Sequence, residues 1–233
     1  MVDPNLIEST IDPALRPAFE RAVDAILDDP KAALRLKVLR ATRRLMAVKG
    51  LDVSMDDVAV AAGTGRRTLF RHFDSRDALV AEALSSALDW YDERISRSNP
   101  ADRPLTDWIA DLALLNMEVQ MDAGRGLWQL AATPDHELAP ELAKVNVRRR
   151  ANRRTSTVSI ARAIWERAGG HGSCPQVIVD ATAIAMSSFT TRSMTEDFGR
   201  DATSVAQSIG SMLAALVASE AKRPAPAPRK ARH

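Results

Sequence analysis

Cysteine, tyrosine and strand-like patterning are nearly missing from this chain of 233 residues. Cys174 is the only cysteine, which excludes an intrachain disulfide and any multi-cysteine metal site. The four histidines have no spacing that would bring ligands onto one face, so no metal site is expected. Serine, histidine and acidic residues occur, but no nucleophile-elbow or similar motif joins them, so neither catalytic residues nor a cofactor is expected. No uninterrupted apolar run approaches the roughly 18 residues of a membrane span. The opening "MVDPNLIEST" lacks the basic stretch and apolar run of a signal peptide. A soluble, cytoplasmic protein without a membrane partner is expected.

Strand-like alternation is scarce, aromatic residues make up only 4% of the chain, and Ala, Leu, Arg and Glu dominate. An all-α protein follows. A first helix is predicted from Asp12, with Pro13 in its first turn and Pro30 beyond its end. The next spans 32–49, with Leu34, Val38, Leu45 and Val48 inward and Arg35, Lys37, Arg40, Arg43 and Arg44 on a polar face. Ser54 and Asp57 form a capping-box pattern opening a short helix that stops at Gly63. A shorter, arginine-rich helix follows. Longer helices are predicted over 76–97, 104–122, 126–132, 137–168, 175–197 and 201–220.

Charge is distributed unevenly. Residues 33–76 carry ten basic and four acidic side chains, whereas residues 1–32 carry three basic and seven acidic. Residues 77–221 are acidic in balance, and the tail 222–233 is basic, low in complexity and expected to be disordered. A basic segment inside an otherwise acidic chain points to a polyanionic partner. The cluster "RRRANRRT" at 148–155 reads instead as a solvated or ion-paired helix face.

Two short helices joined by a glycine-containing turn, the second rich in hydrogen-bond donors, describe a helix-turn-helix. Such a helix fits the DNA major groove, where arginine pairs with guanine and threonine meets thymine or phosphate. Val58, Ala59 and Ala62 are expected to face Leu69 and Phe73. The stretch "LRATRRLMAVKGLDVSMDDVAVAAGTGRRTLFRHFDSRDALV" resembles the DNA-binding domain of the TetR family of bacterial regulators. The resemblance covers roughly Arg35 to Val80 and rests on Val38-Leu39, Ala41, Leu45, Gly50, Ser54, Val58-Ala59, Ala62-Gly63, Thr68-Leu69, Phe70, His72-Phe73 and Arg76.

That resemblance implies a DNA-binding set of Ser54, Arg66, Arg67, Thr68, Phe70, Arg71, His72 and Arg76. Ser54 would cap and meet phosphate, while Arg66, Arg67 and Thr68 would open the recognition helix. Phe70 stands where a tyrosine is usual and is left to packing or stacking. Gly65 stands where a capping serine is common. Arg76 would bind phosphate.

The implied organisation is an acidic extension (1–32), an N-terminal three-helix helix-turn-helix domain (33–76), a larger helical effector-binding and dimerisation domain (77–221), and the tail. Trp90, Trp108, Met117, Met121, Trp128, Met186 and Phe189 are either plain core or the lining of a small-molecule pocket. Few charges fall at inward positions there, so an apolar or aromatic effector is expected. A homodimer interface is expected at Ala181, Ile184, Ala185, Ser188, Val205, Ile209, Leu213 and Leu216, with intrachain packing as the other reading. Together these describe a repressor released from a palindromic operator on double-stranded DNA. The rival reading is a DNA-binding protein of the same fold that answers to a protein partner or organises DNA.

Overall fold

The computed structural model describes residues 29–97 and 103–222. The acidic extension before Asp29 with its candidate helix, the Trp90 side chain, and the tail beyond Lys222 lie outside the described residues. The described residues contain helices and no strand.

Helix α1 spans Pro30–Lys49. Asp29 caps it by accepting from the Lys31 amide, and Pro30 takes its first turn. Val38, Leu39, Ala41, Thr42 and Met46 are buried. Val48, expected inward, is 73% exposed because the inward line runs 38, 42, 46 at helical spacing and passes it by. Arg35 and Arg43, on the expected polar face, reach across to other helices. Arg35 pairs with Glu82 and donates to the His72 carbonyl at 3.1 Å. Arg43 meets Asp122 at 3.3 Å and Ser86 at 2.8 Å, and burial pushes its guanidinium pKa down.

Helices α2 (Met55–Ala62), α3 (Arg66–His72) and α4 (Arg76–Arg97) follow. Their apolar cluster joins Met46, Val58, Ala62, Leu69, Phe73 and Leu84. It does not stop at the head, because Leu127, Leu130, Leu142 and Val145 from the larger region belong to it.

Helix α5 (Leu105–Ala132) is interrupted by Gly124, whose φ of 46° and ψ of −131° are non-helical. A 3-10 turn at Asp135–Glu137 leads to α6 (Pro140–Arg167), which starts three residues later than predicted because Pro140 takes its first turn. The predicted single helix over 175–197 is three pieces: α7 (Gln176–Ala185), α8 (Ser188–Arg192) and a π turn at Ser193–Asp197. The break has a cause. Side chains of Asn116 and Gln120 donate to the Met186 carbonyl, at 3.0 and 3.3 Å, and the Ser187 hydroxyl caps α8 at the Thr190 amide.

Helix α9 (Ala202–Ala221) closes the fold. By length and composition alone it is apolar enough to cross a membrane, with a mean hydropathy of 1.3. Its buried side chains Val205, Ala206, Ile209, Leu213 and Val217 pack in a second cluster with Trp108, Ile109 and Leu112 of α5 and Ile164 of α6.

Candidate nucleic-acid interface

Small residues let α2 and α3 approach. Val58, Ala59 and Ala62 are buried on one side of the contact and Leu69 and Phe73 on the other. Gly63 ends α2 at φ 57°, a left-handed conformation in which a β-carbon is disfavoured. Its amide donates to Val60 and the Thr64 amide to Ala59, closing the turn. Gly65 then serves as N-cap of α3, and no side chain takes over that cap, Thr64 included.

The start of α2 is firmly held. The Ser54 hydroxyl accepts from the Asp57 amide at 3.1 Å and donates to the Asp57 carboxylate at 2.7 Å, while that carboxylate accepts from the Ser54 amide. Lys49 adds an ion pair at 2.6 Å. Hydrogen bonds from Lys49 and then Ser54 pull the Asp57 pKa down to about 2.

On α3 the side chains of Arg66, Arg67, Phe70 and Arg71 are exposed, while Thr68 and His72 are half-buried. Arg67 and Arg71 have no hydrogen-bond or ion-pair partner among the described residues. Arg66 is engaged by Asp56 and lies over the Phe70 ring. Asp56 had no signal in the sequence, since it stands ten residues before Arg66 and across a turn. Arg76 donates from Nε to the Val53 carbonyl at 2.9 Å and pairs with Asp77. It therefore fastens the start of α4 to the loop before α2.

Residues 38–83 match the family model described as bacterial regulatory proteins, tetR family. This head is therefore similar to the DNA-binding domain of tetR-family regulators. A stretch of 44 residues is 43% identical to the uncharacterized HTH-type transcriptional regulator YvaF of Bacillus subtilis. That match covers 19% of this chain and 23% of the relative. The whole fold is similar to a tetR-family transcriptional regulator from Streptomyces coelicolor, with a TM-score of 0.61 and 16% identity over 81% of this chain and 83% of that one. It is also similar to the transcriptional regulator FadR from Bacillus subtilis, solved with stearoyl-CoA, with a TM-score of 0.55 and 12% identity over 77% and 97% of the two chains.

Beyond the head, the side chains considered for a ligand pocket divide. Trp108, Met117 and Met186 are buried in the second apolar cluster, whereas Met121 is 47% and Phe189 82% exposed. Trp128 is half-buried, with the Arg192 guanidinium 5.1 Å from its ring centroid. Unsatisfied polar atoms mark a set that shares only Trp128 with those candidates. Gln120 Oε1, Trp128 Nε1, Trp165 Nε1 and Thr191 Oγ1 are buried without a partner among the described residues. Gln120 of α5 touches Met186, Trp128 of α5 touches Arg192, and Thr191 lies between those two in the sequence, so three of the four belong to the meeting of α5 with the run from Met186 to Arg192.

The side chains considered for a dimer interface divide. Val205, Ile209, Leu213 and Ala185 are buried inside a single copy. The i,i+4 stripe of α9 packs on this chain's own α5, as the intrachain reading has it. Ala181, Ser188 and Leu216 are half-buried, and Ile184 is 69% exposed. Phe189 of α8, Phe198 after the π turn and Met212 of α9 are also exposed.

Proposed function

We propose that the protein is a homodimeric transcriptional repressor that binds a palindromic operator and is released by a small-molecule effector. The observation that carries the DNA part is the short helix α3, which displays Arg67 and Arg71, unpaired among the described residues, on a head similar to that of bacterial regulators. Exposed cations with no internal partner are available to phosphates and base edges.

Dimerisation is supported by the exposed Ile184, Phe189, Phe198 and Met212 on the last helices. Large apolar side chains left in water favour burial against a second copy. Two heads held by such a pairing would read half-sites one or more helical turns apart.

An effector is supported by the buried Gln120 Oε1, Trp128 Nε1 and Thr191 Oγ1. Unmade buried hydrogen bonds are costly, and a ligand that makes them gains affinity. The fold neighbour FadR was solved with stearoyl-CoA, which is an acyl chain joined to a polar group. For this chain the preferred effector has an apolar or aromatic body and at least one hydrogen-bonding group. It acts by binding more tightly to the dimer whose heads are wrongly spaced for the operator.

Selection of bound DNA from a random duplex pool tests the reading. A palindromic consensus is expected. Loss of operator binding on adding a small molecule that raises the melting temperature would separate effector control from control by a protein partner. A chain that enriches no sequence would overturn the proposal.

A further inference from the structure

The head contains a carboxylate where DNA phosphates would disfavour one. Asp56 stands in the first turn of α2, and Arg66 opens α3. Nη1 of Arg66 donates to both Asp56 oxygens, at 3.1 and 2.8 Å. One helical turn on, the Phe70 ring lies under the same guanidinium, 5.5 Å from its carbon to the ring centroid. The Arg66 and Asp56 side chains remain 60% and 65% exposed, so water screens the pair and it adds little to stability. Its effect is geometric.

With Nη1 occupied and the guanidinium plane supported by an aromatic face, Nε and Nη2 form the opposite edge. Neither has a partner among the described residues. These are two parallel N–H groups, the fork that matches guanine O6 and N7. Arg67, the neighbouring residue, has no comparable support.

We propose that Arg66 is the guanine-reading side chain of this head and that Asp56 and Phe70 are its positioning residues. The proposal rests on the DNA-binding reading above. An unsupported exposed arginine must lose rotamer freedom when it docks, whereas a held one has lost much of it in the free protein. The carboxylate also discourages the guanidinium from settling on a phosphate, because it repels that phosphate. Phenylalanine at position 70 suffices for this role, since the ring face is what supports Arg66.

The test uses the full chain and an operator selected from a random duplex pool, with binding measured to every single-base variant. Wild type is expected to prefer guanine at one position per half-site by about 5- to 150-fold. Asp56→Asn should lower that preference towards the level left by Arg66→Ala, at that position alone. Non-specific affinity should hold or rise, because a negative charge is lost. Phe70→Leu should act in the same direction, and Phe70→Tyr, which keeps the ring, should restore the wild-type profile. Arg67→Ala should reduce affinity evenly and lower the salt slope by about one. All these side chains are exposed, and circular dichroism checks that each variant folds. If Asp56→Asn tightens every site equally and leaves the base preference intact, Asp56 restrains Arg66 rather than presenting it, and the proposal is overturned. Loss of the guanine preference in Arg67→Ala but not in Arg66→Ala would also overturn it. A wild-type chain with no preferred sequence would instead sink the DNA reading itself.

Discussion

Gly124 of α5 lies against the backbone of Ala47 on α1: a β-carbon at Gly124 would sit 2.7 Å from the Ala47 Cα. The same junction is held by Gln129, whose side-chain oxygen accepts from the Leu51 amide at 2.6 Å. The long helix of the head is thus wedged into the bend of the body's longest apolar helix, and a change on one side must be felt on the other. Gly124→Ala meets both a φ of +46° and a collision with backbone that cannot swing aside. The expected loss is about 2–4 kcal/mol, combining a left-handed β-carbon with overpacking. Thermal melting should fall by about 4–16 °C. A variant that melts with wild type would mean that the junction yields freely.

Two substitutions separate the interface from the core. Ile184 is exposed and Leu213 fully buried in a single copy. Ile184→Glu should move the mass seen by light scattering towards the monomer, because a charge is placed at a dry contact between copies. Leu213→Ala should instead cost about 2–5 kcal/mol in chemical denaturation by leaving a cavity. An unchanged dimer in Ile184→Glu would place the interface on another face.

Thr191 offers a test of the effector site without a change of shape. Its Oγ1 is buried and unpartnered, and the residue is 1% exposed. Thr191→Val removes only the hydroxyl and should stabilise the free protein by about 1 kcal/mol. It should also weaken an effector that bonds this hydroxyl by about 1–3 kcal/mol, read by titration calorimetry. A destabilised Thr191→Val would show that the hydroxyl already has a partner in solution.

Asp57 gives the head a pH dependence of definite sign. Its folded pKa is depressed from 3.8 to about 2, so its contribution is complete above the ordinary value and is lost as pH falls towards 2. Melting temperatures of wild type should therefore fall more steeply between about pH 4 and pH 2 than those of Asp57→Asn. Other carboxylates titrate in the same window, so the difference between the two curves is the measurement. Parallel curves would show that the capping carboxylate does not couple to folding.

The head was legible because its signals are local. Ser54 and Asp57 satisfy each other's backbone within one turn, Gly63 has the φ that a helix stop demands, and the small residues of α2 match the large ones of α3 at helical spacing. The exposed face of α3 follows from the same periodicity. What could not be read were relations between distant residues. The stripe Val205, Ile209, Leu213 announces that α9 buries one face, but an apolar face is satisfied equally by this chain or by a second copy. Only the packing of α9 on α5 assigned it to the monomer and left Ile184 and Phe189 outside. The break after α7 was equally hidden. Apolar spacing continues through it, and the donors that hold the Met186 carbonyl come from Asn116 and Gln120, 70 and 66 residues away. Asp56 and Arg66 meet across a turn whose course no helical period describes, because the angle between two helices is set by the side chains packed between them.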